Sequence, residues 1–567
     1  MQMVAQRIVL LFAALLIAGG VMFAQVGRGW SDWPTPYADA QRTSWLQSDP
    51  NISVQSLSKP GFELQWTSKL DNQRRGLYGL TQGVTASGVT LFVPASIVAG
   101  SSNKLFMVDN DTGYVIWSRT FDGALPAPTG ACSGGLTAAP TRIVSGAAPP
   151  ISAAGATPPP ARGNQQGYRS LLGEPGRGIP VEPRGGGPPR GAPVGPARQG
   201  GAPGPAPARG DGIPGAPNVV GGAGTQRIIV AYAVAADGQL HVVGLQSGKD
   251  LQKPAPFLPA NSQWSNPVAV GTMMYAATSG NCAGAPNGVY AIDLDAPDNK
   301  RVVSYHTNGG SVVGAVAFSS DGNTLFAAVG PGTVTADGKA NAIVALDPKT
   351  LQLKDWFTQP TAEFVTGPTI FRHGTRDLVA AATKDGRVML FDAASLGGAN
   401  HGTPVVASAP VFGGGGAIAA EALSTWARPS ADRWILVPVT GRPVAARMTN
   451  GAIRNGAVVA LRVRDASGAF SLEPEWTSSD LTSPATPIIV NGVVFSLSSG
   501  RSAAAGRRGS PAVLYAHDGV SGKALWNSGK SMTASASPGS FWSALSQVYV
   551  GAEDGTIYAF GFLDERR

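Results

Sequence analysis

Two thirteen-residue stretches at opposite ends of the chain, LFMVDNDTGYVIW at 105–117 and LYAHDGVSGKALW at 514–526, carry Leu, Asp, Gly and Trp at matching places. A chain that repeats itself in this way is built from one supersecondary unit used many times. In each stretch a short strand ends in a turn running from Asp to Gly, and a second strand leaves that turn with the Trp. Upstream of the later copy, TPIIVNGVVFSLSSG holds two more strands, 486–490 and 493–497, joined by the hairpin pair Asn491-Gly492. Four antiparallel strands, A to D, form one blade of a propeller.

The same order recurs with a period near 50, at 81–117, 136–252 with an interruption, 266–305, 314–356, 366–406, 417–476 and 483–526. The last unit, 534–560, supplies only three strands, and FELQW at 62–66 supplies the missing strand D. The expected fold is therefore all-β: an eight-bladed β-propeller of four-stranded antiparallel blades over 62–567, closed by an N-terminal strand that completes the last blade. Such closure leaves no free edge between first and last blades. Trp66, Trp117, Trp356, Trp476 and Trp526 all fall in strand D, where indoles pack one blade on the next.

Residues 1–24 read as a secretory signal peptide: Arg7, the apolar run IVLLFAALLIA, then Ala24 as a small residue for cleavage. The competing reading is an uncleaved anchor, but the run is shorter than the roughly 20 residues that span a bilayer. Export implies a secreted or periplasmic protein, with no transmembrane domain once the leader is removed. Residues 25–61 form an N-terminal segment before the first strand. Within blade 2, residues 145–226 are dominated by Pro, Gly, Ala and Arg, with too few large apolar side chains to offset the entropy of ordering. That insert is expected to be disordered.

Formal charge is +8 for 567 residues, a modest excess that suits loose attraction to anionic surfaces and gives no specific nucleic-acid partner. The five His residues have no metal-ligand spacing, and no metal site is expected from them. Only Cys132 and Cys282 are present. Strands alternate in direction, so the A–B and C–D turns share one face and the B–C and D–A loops the other. Cys132 in a D–A connection and Cys282 in a B–C loop of the neighbouring blade then project from one face, within reach of a disulfide. Two separate thiols are the alternative. The same face collects Arg74, Arg75, Arg442, Arg447, Arg454, Arg501, Arg507 and Arg508, a candidate anion-binding mouth to be weighed against ordinary solvated loops.

The D-x-x-x-G-x-x-x-W signature, Asp109, Gly113, Trp117 and again Asp518, Gly522, Trp526, resembles the repeat of pyrroloquinoline quinone (PQQ) dehydrogenases and their non-enzymatic relatives, including the outer-membrane assembly propeller. DWPTPYADAQRTSW at 32–45, followed by ISVQSLSKPGFELQW, is similar to the N-terminal segment of those quinoproteins. For an enzyme, the resemblance implies PQQ with Ca²⁺ held by Glu, Asn and Asp side chains, a catalytic Asp, a stacking Trp, an Arg on the quinone and commonly an adjacent Cys-Cys disulfide. Cys132 and Cys282 are not adjacent, and the metal-site motifs do not map residue by residue. The candidates facing the mouth are Glu421 as a catalytic carboxylate, with Asn266, Trp542, Arg74, Arg75, Arg442, Arg447 and Arg454 around a cofactor.

Two functions compete. One is an exported, monomeric binding or scaffold propeller in the cell envelope, holding a protein or an anionic polymer and needing no cofactor. The other is a PQQ- and Ca²⁺-dependent alcohol or sugar dehydrogenase with divergent metal ligands. No P-loop or nucleophile elbow offers a third chemistry: GKS at 529–531 lacks its upstream glycine, and no GxSxG occurs.

Overall fold

The computed structural model describes residues 31–76, 78–86, 94–123, 125–129, 132–147, 229–295, 301–334, 338–429, 432–444, 447–502 and 509–563. The leader at 1–24, all but the first three residues of the insert at 145–226, and Arg507 and Arg508 lie outside them.

Eight small sheets, mainly antiparallel, form a ring. Blade 1 is Val84–Ala86, Ala95–Gly100, Lys104–Asp109 and Val115–Thr120. Blades 4 and 7 repeat it with Val312–Phe318 to Leu353–Thr358 and Ile488–Val490 to Ala524–Asn527. Blade 8 combines Ala536–Ala544, Gln547–Ala552 and Thr556–Phe562 with Phe62–Lys69, which pairs antiparallel with Thr556–Phe562. The ring is closed by the strand expected to close it.

Blade 2 departs from expectation. Its outer strand, Ala255–Pro256, lies beyond 252, and its inner strand is reduced to a bridge between Thr141 and Tyr232. Ile143–Val144 instead pairs parallel with Ala269 and Val270 of blade 3, so the chain crosses to its neighbour just before the insert. The unbroken A–B hairpin of the other blades fixes strand A; a long insertion removes that constraint.

The repeated turn shows why its residues recur. Asp109 Oδ1 accepts the Asp111 and Thr112 N–H groups, and Asp518 Oδ1 does the same for Val520 and Ser521. Gly113 and Gly522 have φ of +73°, and a Cβ there would lie 2.5 Å from the Trp66 ring and 2.7 Å from the Trp476 ring. Each indole belongs to strand D of the preceding blade and donates to a carbonyl of that same turn: Trp66 Nε1 to Asn110 O at 2.9 Å, Trp476 Nε1 to Gly519 O at 3.1 Å. Trp117 repeats the arrangement on Leu245 O, over Gly248. Trp526 packs edge-on against Phe62 and Phe560, and Trp356 stacks on His401. Blades 8, 1 and 6 therefore use the turn of the next blade to satisfy an indole N–H.

Candidate functional site

Residues 31–46 were expected only to precede the propeller; they close one end of its channel. Going along them, Ser31 O accepts from Leu545 N of blade 8, Trp33 O from Thr85 N of blade 1 and Pro34 O from Arg142 N of blade 2. Thr35 Oγ1 donates to Pro267 O of blade 3. Ala40 O, Gln41 O, Thr43 O and Ser44 O then accept from Phe318, Ile370, Thr425 and Ile489 of blades 4 to 7. The segment makes one full circuit of the axis, touching the innermost strand of every blade in order. Tyr37, Ala38, Arg42 and Ser44 adopt positive φ, a conformation L-residues enter at a cost. Arg42 holds the curl: buried, its guanidinium donates to Val316 O, Thr35 Oγ1, Pro36 O and Asn266 O, and desolvation pulls its pKa down to about 10.

The circuit lies across the ring along its innermost strands, and the B–C and D–A loops gather at the face opposite the A–B turns. There Glu421 precedes Ser424–Ala427, the inner strand of blade 6. Its backbone carbonyl accepts from Gly367 N at 2.9 Å, an approach allowed by the missing side chains of Gly314 and Gly367. Glu421 is exposed to water, yet protein lies close around its carboxyl group. That enclosure raises its pKa, and no charged group among the described residues offsets the effect.

Two phenols lie near enough to feel its charge. Tyr37, rising from the sealed end between Ala315 and Ala422, takes a hydrogen bond from the Asn266 side chain. Tyr78 takes one from Gln263 Nε2. Burial raises both phenols' pKa, and the negative charge of Glu421 raises them further. Their oxygens are used as acceptors, so their O–H groups remain to donate. Neither Tyr37, Tyr78 nor Gln263 was singled out in the sequence, because the two tyrosines stand in connections and Gln263 in the short strand Gln263–Trp264, all outside the repeat signature.

The other candidates are dispersed. Trp542 is fully buried, stacked on Tyr549 and against Gly83 of blade 1, which takes it out of the mouth. Arg74 pairs with Glu553 at 2.9 Å and lines, with Arg501, a cleft of about 410 Å³ between loops of blades 7 and 8. Arg75 donates to Ser133 O and Pro126 O. Arg442, Arg447 and Arg454 are exposed on blade 6. Within the expected arginine mouth, Arg74 is thus paired and Arg75 serves as a loop tie, while Arg507 and Arg508 lie outside the described residues. The disulfide Cys132–Cys282 is formed, with Cα atoms 5.7 Å apart.

No family model matches the sequence, and no curated protein does either. Solved structures do. The quinohemoprotein alcohol dehydrogenase from Comamonas testosteroni superposes with a TM-score of 0.53 at 14% identity, over 97% of this chain and 83% of that one. A europium-containing methanol dehydrogenase gives 0.53 at 11%, over 94% and 98%. Quinohemoprotein alcohol dehydrogenase ADHIIG from Pseudomonas putida HK5 gives 0.50 at 12%, over 94% and 80%. The fold is the quinoprotein-type eight-bladed propeller. At these identities the likeness carries the architecture alone.

The donor set can be tested against PQQ with Ca²⁺. Calcium takes about six to eight oxygens, several of them carboxylate. Glu421 is the one carboxylate that the described residues bring to the phenols, and Asn266 Oδ1 already accepts from Ala139 N at 2.9 Å. Among the described residues no three His, Cys, Asp or Glu side chains gather as metal ligands. These residues do not fit a calcium-held quinone.

Proposed function

We propose that this protein is a binding propeller of the cell envelope, with the region above Tyr37 as its small-ligand site. The observation that supports this most directly is the circuit of residues 31–46 across one end of the ring, with Glu421 the one carboxylate that the described residues bring near the two phenols. Such a site can hold and orient a ligand, and among the described residues no second carboxylate or cation joins Glu421 there to serve quinone-linked oxidation. The exposed Arg442, Arg447 and Arg454 offer the same face to an anionic polymer or an acidic protein surface. Export rests on the leader sequence and accords with the disulfide. Among the described residues no helix is long and apolar enough to cross a membrane.

The second reading, a PQQ-dependent alcohol or sugar dehydrogenase, is favoured by the architecture shared with the alcohol and methanol dehydrogenases. Titration with PQQ, with and without Ca²⁺, separates the two. The binding reading expects no saturable quinone uptake and no dye reduction with alcohols or aldoses. Calcium-dependent uptake with turnover would replace it by the dehydrogenase.

A further inference from the structure

We infer that the cleft between the loops of blades 7 and 8 is a second binding site, and that it takes a small hydroxylated oxyanion, a sugar carboxylate or a polyol phosphate, held by Arg501, Arg74 and Ser510. Glu421 is not part of its walls, so the inference stands whatever occupies the axis of the ring.

The first support is the cavity itself. The cleft holds about 410 Å³, and small-ligand sites run from about 300 to 1,000 Å³. Its walls are tied by backbone hydrogen bonds: Arg501 and Ser510 exchange N–H···O bonds of 3.0 Å, while Ala512 N donates to Ala534 O and Glu553 N to Ser535 O, each at 2.9 Å. Gly500, at φ +76°, lets the chain turn in to Arg501, since a Cβ there would lie 2.2 Å from Ser510 O. Walls fixed in this way need little further ordering when a ligand arrives. The lining has no aromatic or large aliphatic side chain and is mostly small and polar, which suits a hydroxylated body and not an apolar one.

The second support is which polar groups are already engaged and which remain. Glu553 accepts from Arg74 Nη1, Ser502 Oγ and Ser535 Oγ. Asp554 accepts from Thr556 N and Oγ1 and pairs with Lys69 at 3.1 Å. Neither acid can take a ligand's cation without giving up a partner. The donors are in the opposite condition. Arg501 is exposed where it lines the cleft, no acid among the described residues pairs with it, and its guanidinium makes there only a long contact of 3.4 Å with Asn455 Oδ1. Arg74 uses Nε on Gly76 O and Nη1 on Glu553 and Ser502, which leaves the Nη2 donors without an acceptor among the described residues. Ser510 Oγ has no partner among them either. With Lys69 included, three cations meet two acids, so an oxyanion finds uncompensated positive charge and N–H groups in the forked arrangement that suits carboxylate and phosphate. A neutral sugar reaches the hydroxyl but leaves Arg501 to water.

The experiment is isothermal titration of the full chain, at one fixed low salt concentration, with glucuronate against glucose and with glycerophosphate against glycerol. The expected result is saturable binding of at least one anion, at least about tenfold tighter than its neutral parent. The tighter of the two anions tells carboxylate from phosphate, and either supports the oxyanion class. Arg501→Gln should lower that affinity by about tenfold or more. Arg372→Gln, which removes the same charge from an exposed position on blade 5, should leave it unchanged. Because anion and neutral parent are compared on the unaltered protein, the outcome stands even where a variant folds poorly. Equal binding of each anion and its parent would overturn the inference. An equal loss in the two variants would trace the attraction to net charge and overturn the site, and so would absence of anion binding at about 10 mM. None of these readings involves Glu421 or the titration with PQQ, so this inference and the proposed function fail separately.

Discussion

At the residue scale, the repeated signature couples a backbone conformation to a contact across blades. Gly113 combines positive φ with a neighbouring indole at 2.5 Å from any added Cβ. Gly113→Val therefore meets left-handed strain and overpacking together, and should cost roughly 2–4 kcal/mol, read as a lower urea midpoint. Buried His517 sets a pH dependence. Its Nε2 accepts from Ser479 N, and desolvation pushes the imidazole down to about 4. In the unfolded chain the group titrates near its ordinary value of 6.5, so between the two values the unfolded state holds the extra proton. Its contribution is complete above pH 6.5 and is lost as pH falls toward 4, by on the order of 3 kcal/mol. His517→Gln should flatten the fall in melting temperature between pH 6.5 and 4.5. Glu421 has the opposite sign: its raised pKa makes stability decline as pH rises, so Glu421→Gln should raise the melting temperature at neutral pH.

At the element scale, two links join segments distant in the chain. The disulfide joins the loop before blade 2 to the B–C loop of blade 3 across a sequence separation of 150, and Arg75 ties the former loop to the segment carrying Tyr78. Removing it with Cys132→Ser and Cys282→Ser should cost on the order of 2–4 kcal/mol, seen as a reductant-sensitive urea midpoint in the parent that is absent from the double variant. Phe62–Lys69 is the other link, since it alone completes blade 8. Trp66 on that strand satisfies its N–H on blade 1, so Trp66→Ala should cost about 3–5 kcal/mol and speed unfolding from the seam between first and last blades.

At the scale of the whole molecule, the circuit of residues 31–46 crosses one end of the ring, and its bonds to all eight blades make it a common strut. A chain beginning at residue 47 should keep its blades but unfold at lower urea concentration, and lose any ligand held above Tyr37. The blade count, the strand-D indoles and the closing strand were legible in the sequence because each is local: a period, a turn chemistry and a hairpin are written in neighbouring residues. Glu421 was legible as an acid near the start of an inner strand. Its setting was not, because Tyr37, Tyr78 and Gln263 lie far from it in the chain and carry no periodic signal. Nor could sequence separate Trp542, buried between blades, from an indole in the mouth, or Arg74, paired with Glu553, from a free cation. By itself the sequence determined the ring and its closure, since repeating short-range patterns specify repeating units. Which end is sealed and which side chains face one another across the axis was decided only in the tertiary structure, where the ring brings distant connections together.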